Sequence, residues 1–246
     1  MSNPHQAHPA PNHLTSFYWS DELIRSRSVS DIVLTNVLDV PVPPLRLVLD
    51  WEREIASNLE LDPGDVEALP LARARARWPD YARCVQTMSD WTSGLGLPDV
   101  LAASDIALMV CRGAKYHHDG AQYGGAAFCN LFISEDLGLD VHFPAIDKRI
   151  PLTRGTALMF DTGQPHGVIR RGRSDFHVDD FPPELNWTQV FLTWELPIED
   201  FRVSHALQIT FDTAPLIAHQ LDEEQIRLND ARVQVCPESG RWLGLA

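Results

Sequence analysis

Three residues of metal-binding type stand at a spacing that lets them meet. The first two belong to the triplet His117-His118-Asp119. In an extended strand, residues i and i+2 face the same way. His117 and Asp119 therefore project together as one imidazole and one carboxylate, and His118 points away. The third, His166, follows Asp119 by 47 positions, behind a Gly-Gln-Pro turn and at the start of the run HGVI. Two histidines and one carboxylate on one side of a metal leave three positions open on the other. That donor set typically holds non-haem Fe(II) in oxygen chemistry. A single strand histidine is ordinarily a hydrogen-bonded structural residue; the three together favour a metal site.

A second H-x-D triplet, His177-Val178-Asp179, is followed by His205 and His219. Its surroundings are polar and rich in turn residues, so it ranks below the first set. Residues 171–186 read instead as a long loop between the last two strands, of the kind that often covers an active site. His142, Trp187 and Trp194 are expected to pack. Cys111 and Cys129 read as small buried hydrophobes rather than nucleophiles.

The elements that must position these residues are mostly strands. From about 104 to 196 the chain is a series of short apolar runs, among them DIALMVCR, AAFCNLFISE, TALMFDT and TQVFLTWEL, punctuated by Gly, Pro and Asp. Such runs predict an all-β sandwich or barrel. Residues 1–13, rich in Pro, Asn and His, are expected to be a flexible tail, followed by a single domain over 14–246. SDIVLTNVLDV predicts a strand, and PVPP at 41–44 bars helix across the join. A helical support segment is expected over about 51–100, with Pro70 and Pro79 interrupting it. Its arginines Arg73, Arg75 and Arg77 read as a solvated face paired with acids. A C-terminal helical segment is expected over about 198–232, centred on LIAHQLDEEQIRLNDAR.

Composition narrows the function classes. The 246 residues carry 34 acidic and 20 basic side chains, a formal net charge of −14. That balance disfavours nucleic acid and anionic membrane surfaces as partners, since both select cations. No apolar run is long enough to span a bilayer. Neither G-x-G-x-x-G after a strand nor a P-loop occurs, so dinucleotide and phosphate-cradle chemistry lack support. Four cysteines without C-x-x-C spacing argue against a zinc ribbon and a disulfide scaffold, and suit a reducing cytoplasm.

H-x-D followed by a distant His within short strands resembles the Fe(II)/2-oxoglutarate-dependent dioxygenases. The small-residue stretch Gly120–Ala127 and the strand RGTALMFD before Pro165-His166-Gly167 add to the resemblance, which covers residues 104–196. It implies a mainly β fold (α+β), a double-stranded β-helix of jelly-roll or cupin-like kind with flanking α-helices. It implies Fe(II) held by His117, Asp119 and His166, with 2-oxoglutarate and O2 as cosubstrates and succinate and CO2 as products. The implied reaction is hydroxylation of a C–H bond in a small molecule, an amino acid or a natural-product intermediate. Asp119 argues against halogenation, for which the family replaces that carboxylate by a small residue. Family members hold the far carboxylate of 2-oxoglutarate with an Arg or Lys on the last strand, and WTQVFLTWEL has neither. Period-2 counting from His166 makes Arg170 the first candidate anchor and Arg173 the second. Arg112, Lys115 and Lys148 are further cations. Thr193, Gln189, Tyr116, Tyr123 and Asn130 are candidate hydrogen-bonding partners. Two alternatives stand beside this reading: a cupin-like metalloenzyme that does not use 2-oxoglutarate, and a non-catalytic ligand-binding barrel.

Overall fold

The structure is a computed structural model that describes residues 13–59 and 61–245. The expected N-terminal tail lies, except for His13, outside the described residues. In chain order the first elements are β1 (Leu14–Ser20), β2 (Leu23–Ser28), β3 (Val33–Val37), α1 (Leu45–Asn58), β4 (Val66–Leu69), α2 (Leu71–Arg77) and α3 (Tyr81–Gly94). The central strands are β5 (Asp105–Cys111), β6 (Ala114–His117), β7 (Ala126–Phe132), β8 (Leu139–Phe143), β9 (Lys148–Pro151), β10 (Thr156–Asp161), β11 (His166–Arg170) and β12 (Gln189–Pro197). Last come α4 (Phe201–Ala206), α5 (Pro215–Ala218), β13 (Gln225–Leu228), β14 (Ala231–Val235) and β15 (Trp242–Gly244).

From β5 to β12 the chain passes back and forth between two antiparallel sheets. One has the order β3-β10-β7-β12-β5-β4 and the other β6-β11-β8-β9. This winding is the double-stranded β-helix expected from the sequence. A third sheet, β15-β14-β13-β1-β2, joins the two ends of the chain.

Alternation along the central strands divides their side chains between two environments. Leu108 and Val110 of β5, Cys129 and Leu131 of β7, Met159 of β10, and Leu192 and Trp194 of β12 share one buried cluster with the helices. There they meet Leu47, Trp51 and Ile55 of α1, whose four-residue spacing puts them on one helix face. The other parity, with Met109, Phe132, Leu158, Phe160 and Phe191, faces the second sheet.

Two helical expectations give way to strands. Val66–Leu69, read as part of the support helix, forms β4 and pairs along β5 from Val66↔Cys111 to Leu69↔Leu108. The unpaired edge of β5 offers a ladder that outweighs local helix propensity, and Pro70 then ends the strand. The C-terminal segment 198–232 is helical only in α4 and α5. Residues 225–235 instead form the hairpin β13–β14, with Leu228 opposite Ala231. Its two-residue turn is Asn229-Asp230, with φ of 48° and 67°. Two left-handed residues in a row make the turn that matches strand twist, and Asn and Asp adopt it more readily than most residues.

Candidate metal centre

His117 ends β6 and His166 begins β11, directly opposite each other. The next pairing is Val168↔Ala114, so β6 has one residue more than β11 between the two pairs. This bulge re-aims the strand end. It leaves Tyr116 buried on the far side and turns His117 into the space between the sheets. Asp119 lies just beyond the strand and is held there by its own N–H, which donates to Thr162 O at 2.8 Å. The expected i, i+2 pair thus comes about through a bulge and a loop anchor rather than through a continuous strand.

The ligand atoms of His117, Asp119 and His166 lie within 4.8 Å of one another. His166 Nε2 is 3.5 Å from Asp119 Oδ2, and His117 Nε2 is 3.7 Å from Asp119 Oδ1. Both imidazoles are oriented from behind, with His117 Nδ1 2.7 Å from Lys115 O and His166 Nδ1 3.0 Å from Gln164 O. A carbonyl accepts only from a protonated Nδ1, which leaves each Nε2 with its lone pair toward Asp119. Asp119 Oδ2 is buried without a hydrogen-bond partner. Burial raises the Asp119 carboxyl above its ordinary range. Burial, reinforced by neighbouring His117, lowers His166 to about 3. A carboxylate without a donor facing two free nitrogens is an arrangement that a divalent cation would satisfy. The three residues therefore fit Fe(II).

The triad opens into a cavity of about 410 Å³ between the two sheets. Its walls are mainly apolar, with Met109, Phe128, Phe132, Phe160 and Phe191 among them. The polar members beyond the triad include Gln122, Tyr123, Asn130, Thr193 and Glu195. Volume and lining suit a small molecule. Burial, with help from Asp105, raises the Glu195 carboxyl.

Of the candidate cosubstrate residues, Thr193 lies in this wall, as do Asn130, directly across from it on β7, and Tyr123 on the loop after β6. The others do not. Arg170 shares the parity of His166 and Val168 but sits at the strand end, exposed, with its guanidinium 5.2 Å from the Trp187 ring. Arg173 pairs with Asp180 at 2.8 Å. Tyr116 turns to His142, with its hydroxyl 2.5 Å from Nδ1. Lys115 pairs with Asp65, Lys148 donates to Val33 O, and Arg112 reaches Thr188 Oγ1. Gln189 donates to Glu135 O. Among the described residues the cavity wall contains no Arg or Lys. The rival H-x-D triplet stays apart: His177-Val178-Asp179 runs into a short 3-10 turn, and no third ligand joins it among the described residues. The loop 171–186 packs Phe176 and Phe181 against Gly64 and Gly113 and contributes nothing to the cavity wall.

One supporting feature was not visible in the sequence. Arg27 and Asp161 form a fully buried ion pair, with contacts of 2.6 and 2.9 Å. Asp161 also accepts from Ser30 N and Gly163 N, and Arg27 donates to Gly124 O. The next residue, Thr162, donates through Oγ1 to Tyr123 O and Ala126 O. This cluster fixes the 161–164 turn, which carries the carbonyls that hold Asp119 and His166.

No family model matches the chain, and no curated protein matches it. Solved structures similar to it include a Pseudomonas putida prolyl-4-hydroxylase, 17% identical, with a TM-score of 0.40 over 67% of this chain and 92% of that one. A viral collagen prolyl hydroxylase from Paramecium Bursaria Chlorella virus-1, 9% identical, has a TM-score of 0.37 over 67% and 94%. A non-haem alpha-ketoglutarate-dependent epimerase from nogalamycin biosynthesis, 12% identical, has a TM-score of 0.36 over 67% and 78%.

Proposed function

We propose that this protein is an Fe(II)- and 2-oxoglutarate-dependent oxygenase that hydroxylates a C–H bond of a small molecule. The observation that carries the proposal is the convergence of His117, Asp119 and His166, with both Nε2 atoms free, on one apolar cavity of a double-stranded β-helix. Fe(II), when bound there, supplies O2 activation coupled to decarboxylation of the 2-oxo acid. The chain's own part is ligation, orientation and exclusion of water. Lys115 O and Gln164 O keep the two imidazoles in one tautomer and one direction. Thr162 O holds the Asp119 loop. The aromatic wall keeps water away from the reacting centre. Four free thiols, three of them buried, suit a reducing compartment such as the cytoplasm. No helix of the described residues is long and apolar enough to cross a membrane.

The test is substrate-independent turnover. With Fe(II), ascorbate and O2, the protein should convert 2-oxoglutarate to succinate, and His166→Ala should not. A second reading, a metalloenzyme that does not use 2-oxoglutarate, is favoured by one specific observation, the cation-free wall. Stoichiometric iron uptake without succinate or a 2-oxoglutarate complex would select it. Failure to take up Fe(II) would select a non-catalytic binding barrel.

A further inference from the structure

The cavity wall is rich in acceptors. Its buried atoms without a hydrogen-bond partner, Asp119 Oδ2 and Asn130 Oδ1, both accept. Its second carboxylate belongs to half-buried Glu195. Burial and Asp105, directly across on β5, both raise the Glu195 carboxyl, and no donor or cation of the described residues offsets them. Like charges directly opposite on neighbouring strands are unfavourable. A cation relieves that repulsion, and among the described residues the wall has no Arg or Lys. Glu195 also stands at the level of the metal centre. It is directly across from Phe128, and Phe128 from Phe160, whose ring is 4.8 Å from that of His166. Two strand spacings, about 10 Å, separate the ends of that rung, which is within the reach of a small molecule. Beside it the Tyr123 and Phe128 rings meet edge to face at 5.2 Å. Aromatic rings next to a carboxylate suit a positively charged nitrogen.

We propose that Glu195, with Tyr123 and Phe128, selects a substrate that carries a positively charged amine on an apolar body. The assignment rests on the oxygenase reading above. The ammonium N–H groups donate to the Glu195 carboxylate and the Tyr123 hydroxyl oxygen, and the body lies along the Phe128–Phe160 rung toward the metal ligands. Charge balance favours the same class. Asp119 and a dianionic 2-oxo acid outweigh the two positive charges of Fe(II), so a further anion would be buried unpaired, whereas Glu195 balances one ammonium. A free α-amino acid therefore fits poorly, because its carboxylate would meet acidic groups and no cation. An amine without a free acid group fits.

The experiment is proton NMR of two ligands with the Mn(II)-loaded protein, in the absence of any 2-oxo acid. Benzylammonium and benzyl alcohol have the same ring and length and differ in charge. A ligand bound near Mn(II) has broadened proton lines, which report both its affinity and its nearness to the metal. Wild type is expected to bind benzylammonium at least about tenfold more tightly than benzyl alcohol, as hydrogen bonds to a charged acceptor provide. The near-isosteric Glu195→Gln should lose most of that preference, with Mn(II) stoichiometry and circular dichroism showing the variant to be folded. Equal broadening of the two ligands by wild type, or none with Mn(II) bound, overturns the assignment without recourse to a variant. A preference that survives in folded Glu195→Gln overturns the role of Glu195. A cation preference in a protein that forms no succinate keeps the Glu195 assignment and overturns the cosubstrate. A protein that takes up no Mn(II) overturns the oxygenase reading and the assignment together.

Discussion

A metal ligand is useful only when its lone pair is free and aimed. Here each histidine is aimed by a backbone carbonyl two residues before it, Lys115 O for His117 and Gln164 O for His166. Ligand types and spacing were legible in the sequence because the chemistry resides in the side chains themselves. The bulge that turns His117 inward was not, because a bulge is a property of two paired strands. Counting by twos placed Arg170 on the correct face, yet could not show that the strand end carries it past the rim and over Trp187. Thiol reactivity is a prediction at this scale. Burial pushes Cys84 and Cys111 up to about 12, and Cys129 is raised by the same cause. All three remain protonated thiols well above neutral pH, whereas Cys236 is half-buried. Thiolate is the reactive form. Native protein at pH 8 should therefore react with one equivalent of a thiol reagent, at Cys236, and denatured protein with four. Rapid modification of more than one native thiol would contradict the burial.

At the scale of elements, the centre depends on a turn that is itself held by distant chain. The Arg27–Asp161 pair links β2 to the end of β10, residues 134 apart in sequence. No local pattern marks such a partner, so the pair is not legible in the sequence. Removing one member leaves the other charged and buried, at a cost of about 3–5 kcal/mol. Arg27→Met should lower the thermal midpoint accordingly. It should also weaken Fe(II) binding, because the 161–164 turn carries the carbonyls that hold Asp119 and His166. A fully stable Arg27→Met protein with unaltered iron affinity would refute this role. Gly155 gives a second test. Its φ is 89°, a Cβ there would collide with Leu38 O, and its own carbonyl accepts from Leu38 N. Gly155→Ala should destabilise by more than about 1 kcal/mol in chemical denaturation. The central strands were legible as short apolar runs. The helix read over 225–232 was not correct, because QIRL and ARV become a hairpin only through the left-handed Asn229-Asp230 turn.

At the scale of the whole molecule, binding of a metal to the native state alone must raise stability. At a free metal concentration of a hundred times Kd the gain is about 2.7 kcal/mol, or roughly 5–10 °C in Tm for a chain of this length. Anaerobic Fe(II), or Mn(II) in its place, should produce that shift in wild type and not in Asp119→Ala. The net charge of −14 leaves little positive surface for a polyanion, and among the described residues the cavity wall contains no Arg or Lys. A β sandwich or barrel was readable from strand lengths and turn residues, and the double-stranded β-helix only from the resemblance that the H-x-D…H spacing carries. The sheet that joins the two chain ends was not, since it pairs Leu14 with Leu228.

The most direct test of the central claim is anaerobic equilibrium dialysis against Fe(II) for wild type, Asp119→Ala and His166→Ala. The predicted result is one tightly held iron per chain in wild type, lost in both variants while their far-ultraviolet circular dichroism stays that of the native fold. A folded wild-type protein that retains no iron, or variants that retain it undiminished, would contradict the assignment of the metal to His117, Asp119 and His166.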